Sequence, residues 1–352
     1  MRHTDVLIIG GGAIGSAAAL FLRRAAQAPG VIVVEPDPAY TLASTPRATG
    51  GVRRLFSLPE NIGLAQASLE FFLRWEAEVG VPDETGVATA PDLGWKPGGY
   101  LFVVDDRATA ILERNAATQR HLGAGYVQDK VSGLTRAGRR VRAVTLASGE
   151  RIVADVVINA TSAWAAGVCA MIGMPLPVSP MRRFEHYVEI AETLEPLPLI
   201  KDLDRLVCRP EVSKGGRGYS VGLVDGSEQR GFHFDVEPGY FERVVWPALA
   251  HRLPAFEALK LNSEWSGLYD ENELDGNMIL GNWPVAGAGA EGGAENFYVA
   301  AGFSGHGLMH APAVGRALAE LIVEGRYRTL DLARLDYRRV RTREALREEG
   351  II

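Results

Sequence analysis

Residues 5–35 constrain the fold more than any other part of the chain. Asp5 to Ile9 is a short apolar run of the kind a buried parallel strand needs. Gly10-Gly11-Gly12-Ala13-Ile14-Gly15 follows directly, and an Ala/Leu-rich stretch from Ala13 to Ala28, stopped by Pro29 and Gly30, predicts a helix. Val31 to Val34 is a second apolar run, ending at Glu35. Strand, glycine turn, helix and strand make one βαβ unit, and its chemistry suits a dinucleotide. Gly10 permits the tight turn, Gly12 lets backbone N–H groups approach a pyrophosphate, and Gly15 lets the helix lie close to the strand. Ala13 and Ile14 open a helix whose N-terminal partial positive charge faces the phosphates. Glu35, 20 residues past Gly15, stands where a carboxylate accepts from ribose hydroxyls. An acid there disfavours a 2′-phosphate, so NADP is not expected. FAD and NAD both remain open on these residues.

Farther along, Ser57-Leu58-Pro59-Glu60 has capping-box spacing and predicts a helix from Pro59 to Val79. A Pro/Gly-rich loop then leads to an expected strand, Tyr100 to Val104, and to a helix from Asp105 to near His121. Val141 to Leu146 and Arg151 to Val153, joined around Ser148-Gly149, read as a hairpin, with a separate buried strand from Asp155 to Asn159. From Pro175 to about Leu280 the texture changes to aromatics, frequent turns and alternating strands such as His186 to Ile190 and Tyr219 to Val224. Phe297 to Ala301 is a last buried strand, followed by Gly302 to Gly307 and a helix, Leu308 to Glu324, closed by Gly325. There is no internal repeat. The expected fold is therefore α/β: a Rossmann-type domain (residues 1–80, 125–178 and 285–352) interrupted by a substrate domain (81–124 and 179–284) with a mixed, mostly antiparallel sheet.

Composition narrows the function classes. With 352 residues, 47% of them hydrophobic, the chain has about two domains' worth of packed core. The 43 acidic against 37 basic side chains leave a net charge of −6, which argues against nucleic acid and anionic membrane surfaces. Five of those basic residues are Lys, so charge recognition falls mainly to the planar fork of Arg. The two cysteines, Cys169 and Cys208, form no CxxC, which fits a reducing, cytoplasmic setting and excludes a disulfide framework or a zinc site. Glycines interrupt the apolar run from Val6 to Leu22, and no other run is long enough to span a membrane.

Two further stretches carry chemistry. The glycine loop Gly302 to Gly307, between a buried strand and the last long helix, is an anion site. Reduced flavin carries negative charge at its N1/C2 carbonyl edge, whereas NAD needs no second site of this kind. Ala43 to Ser57 places Arg47, Arg53 and Arg54 in a small-residue loop after the ribose-binding strand, where guanidiniums hold a carboxylate or phosphates bidentately.

The N-terminal fingerprint with Glu35, the loop Thr49 to Asn61, the segment Val157 to Trp164 and the stretch Ala301 to Gly307 together resemble the D-amino-acid-oxidase-like flavoproteins. Within them the chain is most similar to the branch of sarcosine oxidase, dimethylglycine dehydrogenase and the FAD-dependent mitochondrial complex I assembly factor. Arg209-Pro210-Glu211, Gly267-Leu268-Tyr269-Asp270 and Asp275-Gly276-Asn277 fit that branch too. The resemblance implies FAD and oxidation of a C–N bond in an amino acid or N-alkylated amino acid. It puts the ADP half of FAD on Gly10, Gly12, Gly15 and Glu35, with Val131 beside adenine. Ser44, Thr45, Gly50 and Gly51 then follow the pyrophosphate and isoalloxazine, and Ala160 and Thr161 flank the cofactor. Gly302, Gly305, His306, Gly307 and Leu308 sit against the flavin ring. Over the substrate face the resemblance places Tyr219, His233 and Tyr269, with His306, as the polar groups for catalysis.

Departures from that pattern are informative. Sarcosine oxidase attaches its flavin through a Cys where Gly267 stands, and dimethylglycine dehydrogenase uses a His in the loop that here reads Ser44-Thr45-Pro46-Arg47. The expectation is noncovalent FAD. Met309 replaces a carboxylate-binding Lys, so Arg53, Arg54 or Arg183 is expected to hold the substrate. Gln229 stands for a lysine associated with oxygen reactivity, which leaves the electron acceptor open. The expected partners are a small amine or amino acid and an electron-acceptor protein or partner subunit. The alternative is an FAD-containing subunit or assembly factor with little amine oxidation of its own, and a third reading is an NAD-dependent dehydrogenase.

Overall fold

The computed structural model describes residues 2–48, 50–52, 56, 58–82, 86–93, 101–102, 125–195, 197–201, 206–211, 214–227, 229–284 and 292–348. Two sheets organise them. The strands of the first are β1 (Arg2–Ile9), β2 (Val31–Glu35), β3 (Gly125–Gln128), β4 (Val131–Ala137), β5 (Arg140–Leu146) and β6 (Arg151–Asn159). The second has β7 (Val178–Ile190), β8 (Ile200–Lys201), β9 (Leu206–Pro210), β10 (Gly218–Leu223) and β11 (Leu259–Asn272), after which β12 (Ile279–Trp283) and β13 (Ala294–Ala301) return to the first. The long helices are α1 (Ala13–Arg24), α2 (Pro59–Leu73) and α3 (Gly307–Glu324).

The first sheet runs β12-β13-β6-β1-β2-β3, with β5 and then β4 beside the N-terminal half of β6. Its central neighbours, β13 with β6, β6 with β1, β1 with β2 and β2 with β3, are all parallel. Parallel strands covered on both faces must be apolar on both, and β1 meets that demand. Leu7 and Ile9 enter one core with Val157 and Val299, while Val6 and Ile8 enter another with Ala18 and Leu22 of α1 and Val314 of α3. Helix α3 crosses α1 so closely that a side chain at Gly315 would strike the Ala17 backbone.

The second sheet, β8-β9-β10-β7-β11, is antiparallel at every pairing. Its strands alternate between two faces. Phe184, Val188, Cys208, Tyr219 and Val221 form a core against the helical stretch at 241–252. Arg183, Val207, Tyr269 and Glu271 lie on the other face, towards a cavity shared with the first sheet.

Several expectations change. Helix α1 stops at Arg24, because Ala25 is already extended (ψ 150°). The helix expected over Pro59 to Val79 breaks at Arg74 (φ −110°, ψ 23°) into α2 and a short segment, Trp75–Val79. Leu58 is its N-cap and makes no side-chain cap bond; Ser57 lies outside the described residues. The carboxylate of Glu348 takes the Leu58 N–H instead, at 3.2 Å. The segments from Arg151 and from Asp155 form one strand, β6, and the hairpin gains a third strand, β4. Strand β12, expected in the substrate domain, pairs with β13 in the first sheet. Of Tyr100 to Val104, only Leu101 and Phe102 are described, and the helix expected from Asp105 lies outside the described residues. Among the described residues no helix is long and apolar enough to cross a membrane.

Candidate active site

The C-terminal ends of the parallel strands converge on one cavity of about 1070 Å³. That is where open α/β sheets bind ligands, at the crevice between strands whose connections leave in opposite directions, here β1 and β6. The volume lies just above the roughly 300–1,000 Å³ usual for small-molecule and cofactor sites.

The glycines after β1 have different physical reasons to be there. Gly10 has φ +97°, and a Cβ on it would lie 2.5 Å from the Ala160 carbonyl oxygen. A Cβ on Gly15 would run into the carbonyl oxygen of Gly10, which is how α1 comes to lie close against β1. Gly12 has ordinary backbone geometry (φ −61°), and a Cβ there would meet Thr45 Oγ1 at 3.3 Å and otherwise project into open space at the start of α1. Ala13 donates its N–H to that same Thr45 Oγ1 at 3.3 Å. Gly10, Gly12, Ala13 and Ile14 line the cavity; Gly15 is packed beneath them.

Glu35, 8% exposed, ends β2 with one carboxylate oxygen accepting from the Gly11 N–H at 2.8 Å and the other from the Asp37 N–H at 3.1 Å. Burial raises its pKa, while those N–H groups favour the charged form. A carboxylate so anchored keeps lone pairs for ribose hydroxyls. Tyr40, which sequence reasoning missed, donates its hydroxyl to the Gly11 carbonyl at 2.9 Å and holds the loop from the other side. Val131 lines the same end of the cavity. After β6, the Ala160 N–H donates to the Ile9 carbonyl at 2.8 Å, and Asn159 accepts from the Thr161 hydroxyl at 2.7 Å; both Ala160 and Thr161 line the cavity. Ser44, Thr45, Gly50 and Gly51 complete this half.

At the other end, Gly302, Ser304 and Gly305 all have positive φ, so the chain doubles back before α3. His306 is the N-cap of α3 and makes no side-chain cap bond, which leaves the helix N-terminus turned towards the cavity. Gly305, His306, Gly307, Leu308 and Met309 line it; Gly302 holds the turn behind them. Strand β11 is stapled to this loop. Buried Asp270 accepts the Gly302 N–H at 2.9 Å, and the Asn272 N–H donates to Ser304 Oγ at 3.0 Å. Burial pushes the Asp270 carboxyl up to about 6, against the Phe303 and Gly302 N–H groups that favour its charged form.

Tyr269 sits where that staple places it: a Cβ on Gly305 would lie 2.7 Å from its ring. The Arg183 guanidinium stands 5.1 Å from the centroid of the same ring, and both residues line the cavity. Arg53 and Arg54 lie outside the described residues. Arg47 is turned onto β11, where it donates to the Ser266 carbonyl and, at 2.9 Å, to the Thr41 carbonyl; it is a tie between the loop and the second sheet.

Two expected residues lie elsewhere. Tyr219 is fully buried in the core of the second sheet, its ring on Phe256 and its hydroxyl donated to the Gly216 carbonyl at 3.0 Å. Its parity on β10 turns it away from the cavity. His233 is an exposed residue of the loop beyond β10 and does not line the cavity. Neither cysteine reaches it: Cys169 packs behind Asn159 and Cys208 in the second core, and burial pushes both thiols up to about 12.

The site and its folds have relatives. Residues 5–126 and 103–321 match the DAO family, FAD dependent oxidoreductase. The chain is 32% identical over 440 aligned positions to the FAD-dependent oxidoreductase domain-containing protein 1 of Xenopus laevis, covering 100% of this chain and 85% of that one. It is 24% identical to the sarcosine oxidase subunit beta of Rhizobium meliloti, covering 92% of this chain and 85% of that one. Among solved structures, the L-proline dehydrogenase of P. horikoshii superposes with a TM-score of 0.78 over 98% of this chain and 100% of that one, at 21% identity. The cradle after β1, the anchored acid at the end of β2 and the glycine turn before α3 agree with that match, and the chain belongs to the DAO family of FAD-dependent oxidoreductases.

Proposed function

We propose that the protein oxidises the C–N bond of an amino acid or N-alkylated amino acid, with FAD bound noncovalently in the cavity. The observation that carries this reading is the cluster of Tyr269, Arg183 and the α3 N-terminus in one cavity with the dinucleotide cradle. The chemistry FAD supplies when bound is acceptance of a hydride equivalent from the substrate's α or N-methyl carbon, after which water hydrolyses the imine.

The protein's own residues bind and orient. The α1 N-terminus and the space over Gly12 take the pyrophosphate, Glu35 the ribose, and Val131 the adenine. The α3 N-terminus and the Gly305–Gly307 backbone stabilise the negative edge of the reduced ring. On the substrate side, Arg183 holds the carboxylate by its planar fork, and Tyr269, fixed between Arg183 and Gly305, orients the amine. His306 faces the same space. Only an amine with a free lone pair donates, so an apolar, partly closed pocket that disfavours the ammonium form helps the reaction. With neither cysteine at the cavity, no thiol can tether the flavin. Both cysteines are buried and unbonded, in keeping with a cytoplasmic setting.

The test is an anaerobic titration of the purified protein with amino acids and N-methyl amino acids. Bleaching of the flavin band near ~450 nm is the expected outcome. A second reading, an FAD-containing subunit or assembly factor, draws on the relative whose name makes it a subunit. A yellow protein that no amine bleaches, and that copurifies with a stoichiometric partner, would establish that reading instead.

A further inference from the structure

Trp164 ends the turn Ser162–Trp164 that follows β6, three residues past Thr161 of the cofactor cradle. It lines the cavity, as do Gly167 and Val168 of the short helix that continues it, Ala165–Ala170. Its indole is covered from the other sheet. The Phe232 ring stacks on it with 5.3 Å between centroids and 30° between planes, and the Phe234 ring with 6.4 Å and 21°.

The loop that carries both rings belongs mechanically to the second sheet. The Arg182 N–H of β7 donates to the Gln229 carbonyl at 3.1 Å, and the Gly231 N–H donates to the Pro180 carbonyl at 2.9 Å. The Ser266 hydroxyl of β11 donates to the Phe234 carbonyl at 2.6 Å, and buried Arg182 donates to the Asp235 carboxylate at 2.9 Å. Gly231, at φ +113°, turns the chain between these anchors. Trp164, by contrast, is carried by β6 of the first sheet. The Arg47 guanidinium, from the loop after β2, stands 5.8 Å from the Phe234 centroid and extends the stack. An aromatic contact therefore crosses the seam at a wall of the cavity.

Two features decide what this contact can do. Phe232 is 51% exposed, so it closes the stack at the solvent side and its truncation empties no core. Every partner in the stack is a protein group, so the contact needs no cofactor to form. A contact made equally in the filled and the empty protein shifts no binding equilibrium. If it must break for passage, it slows entry and exit alike.

We infer that the stack of Phe232 on Trp164 is a clasp across the seam, which has to open for FAD to enter or leave and so sets how long the cofactor is retained. This rests on the noncovalent FAD reading above and adds a retention device to that site.

The test measures FAD exchange rather than amine oxidation. Release from the holoprotein is followed with an excess of a second FAD-dependent apoprotein as trap, and binding to the stripped protein by flavin fluorescence. Phe232→Ala should raise both rate constants roughly tenfold, the worth of one aromatic pair, and leave their ratio unchanged. Phe232→Tyr, which keeps a ring on the indole, should exchange FAD as the unaltered protein does. In the unaltered protein the observed binding rate should level off as FAD concentration rises, because opening becomes limiting. Unchanged rates in Phe232→Ala overturn the inference, and so does faster release with unchanged binding, which would make Phe232 a contributor to affinity alone. A native binding rate that stays linear in FAD concentration overturns it without any variant, so a poorly folded mutant cannot hide the answer. Flavin that denaturation fails to remove defeats the noncovalent reading and this one with it, whereas exchange indifferent to Phe232 defeats the clasp alone.

Discussion

Gly10 and Gly12 stand in the turn before α1 and Gly15 in its first turn, and of the three only Gly12 has neither a positive φ nor backbone in the way of a Cβ. Its φ of −61° suits any residue, and a Cβ would meet one side-chain oxygen at 3.3 Å. Gly12→Val should therefore give a soluble protein with little bound FAD, whereas Gly15→Val, which drives a side chain into the Gly10 carbonyl, should fail to fold. Flavin absorbance and circular dichroism on the two variants check this; a fully yellow Gly12→Val protein would remove the pyrophosphate from this loop. Tyr269→Phe keeps the ring against Gly305 and deletes the hydroxyl, so FAD content should hold while anaerobic reduction slows by about 10²-fold, in line with loss of a proton-transferring or positioning group. An unchanged rate would make Tyr269 a packing residue. The placement of the glycines and Glu35 around one turn was legible in the sequence because it follows from backbone geometry within thirty residues. Tyr219 was not legible, because whether a strand residue faces core or cavity is a matter of parity set by register with a distant strand, here Val188 opposite Tyr219. A one-residue shift exchanges the two faces.

Strand β11 and the turn before α3 act as one element, because Asp270 and Asn272 tie them together. The Asp270 carboxyl, 5% exposed, titrates near 6 in the folded protein against 3.8 for a free aspartate. Between those values the folded state holds a proton the unfolded chain has released. Its contribution to stability is fully present below pH 3.8 and is lost as pH rises through 6. Asp270→Asn keeps an acceptor for the Gly302 N–H and cannot titrate. The stability of the native protein relative to this variant should thus fall from pH 4 to pH 7, read from denaturant midpoints of both in parallel; a difference that stays constant across that range would mean Asp270 remains ionised throughout. The motif containing Asp270 stood out in the sequence, but its partner lies 32 residues on, and only the fold shows the bond. The same limit explains the missed strand β4. Its sequence, with Gly133 inside it, has weak strand character and becomes a strand by pairing with β5, through register shifts at Val131/Gly133 and Thr135/Arg136.

At the scale of the molecule, the cavity is the seam between two sheets, and polar ties among the described residues cross it. Ser44 donates its hydroxyl to the Leu268 carbonyl at 2.6 Å, Arg47 donates to the Ser266 carbonyl, and the Asp270 staple closes the far end. A parallel sheet interrupted by an antiparallel one was legible from the change in sequence texture, because buried parallel strands and half-covered antiparallel strands need different residue patterns. The membership of β12 was not, since an edge strand antiparallel to β13 carries no local mark of which sheet it joins. FAD bound along this seam, as proposed, would touch both sheets and so stabilise the folded state by mass action, by about 2.7 kcal/mol at a hundredfold excess over its dissociation constant. If the flavin is held without a covalent bond, as the placement of Cys169 and Cys208 away from the cavity supports, each tenfold rise in free FAD adds about 1.4 kcal/mol and moves Tm upward by a few degrees. Dialysis under mild denaturant should yield a colourless protein of lower Tm, and added FAD should restore both colour and Tm along that curve. Flavin that stays with the acid-precipitated protein, with a Tm indifferent to added FAD, would show instead that a side chain has bonded to the ring. Hydrogen exchange on the same samples should lose protection on FAD removal chiefly in β11 and the turn at Gly302–Gly307, where the second sheet meets the cofactor loop, rather than in β1, whose two faces stay packed whether or not the seam is filled.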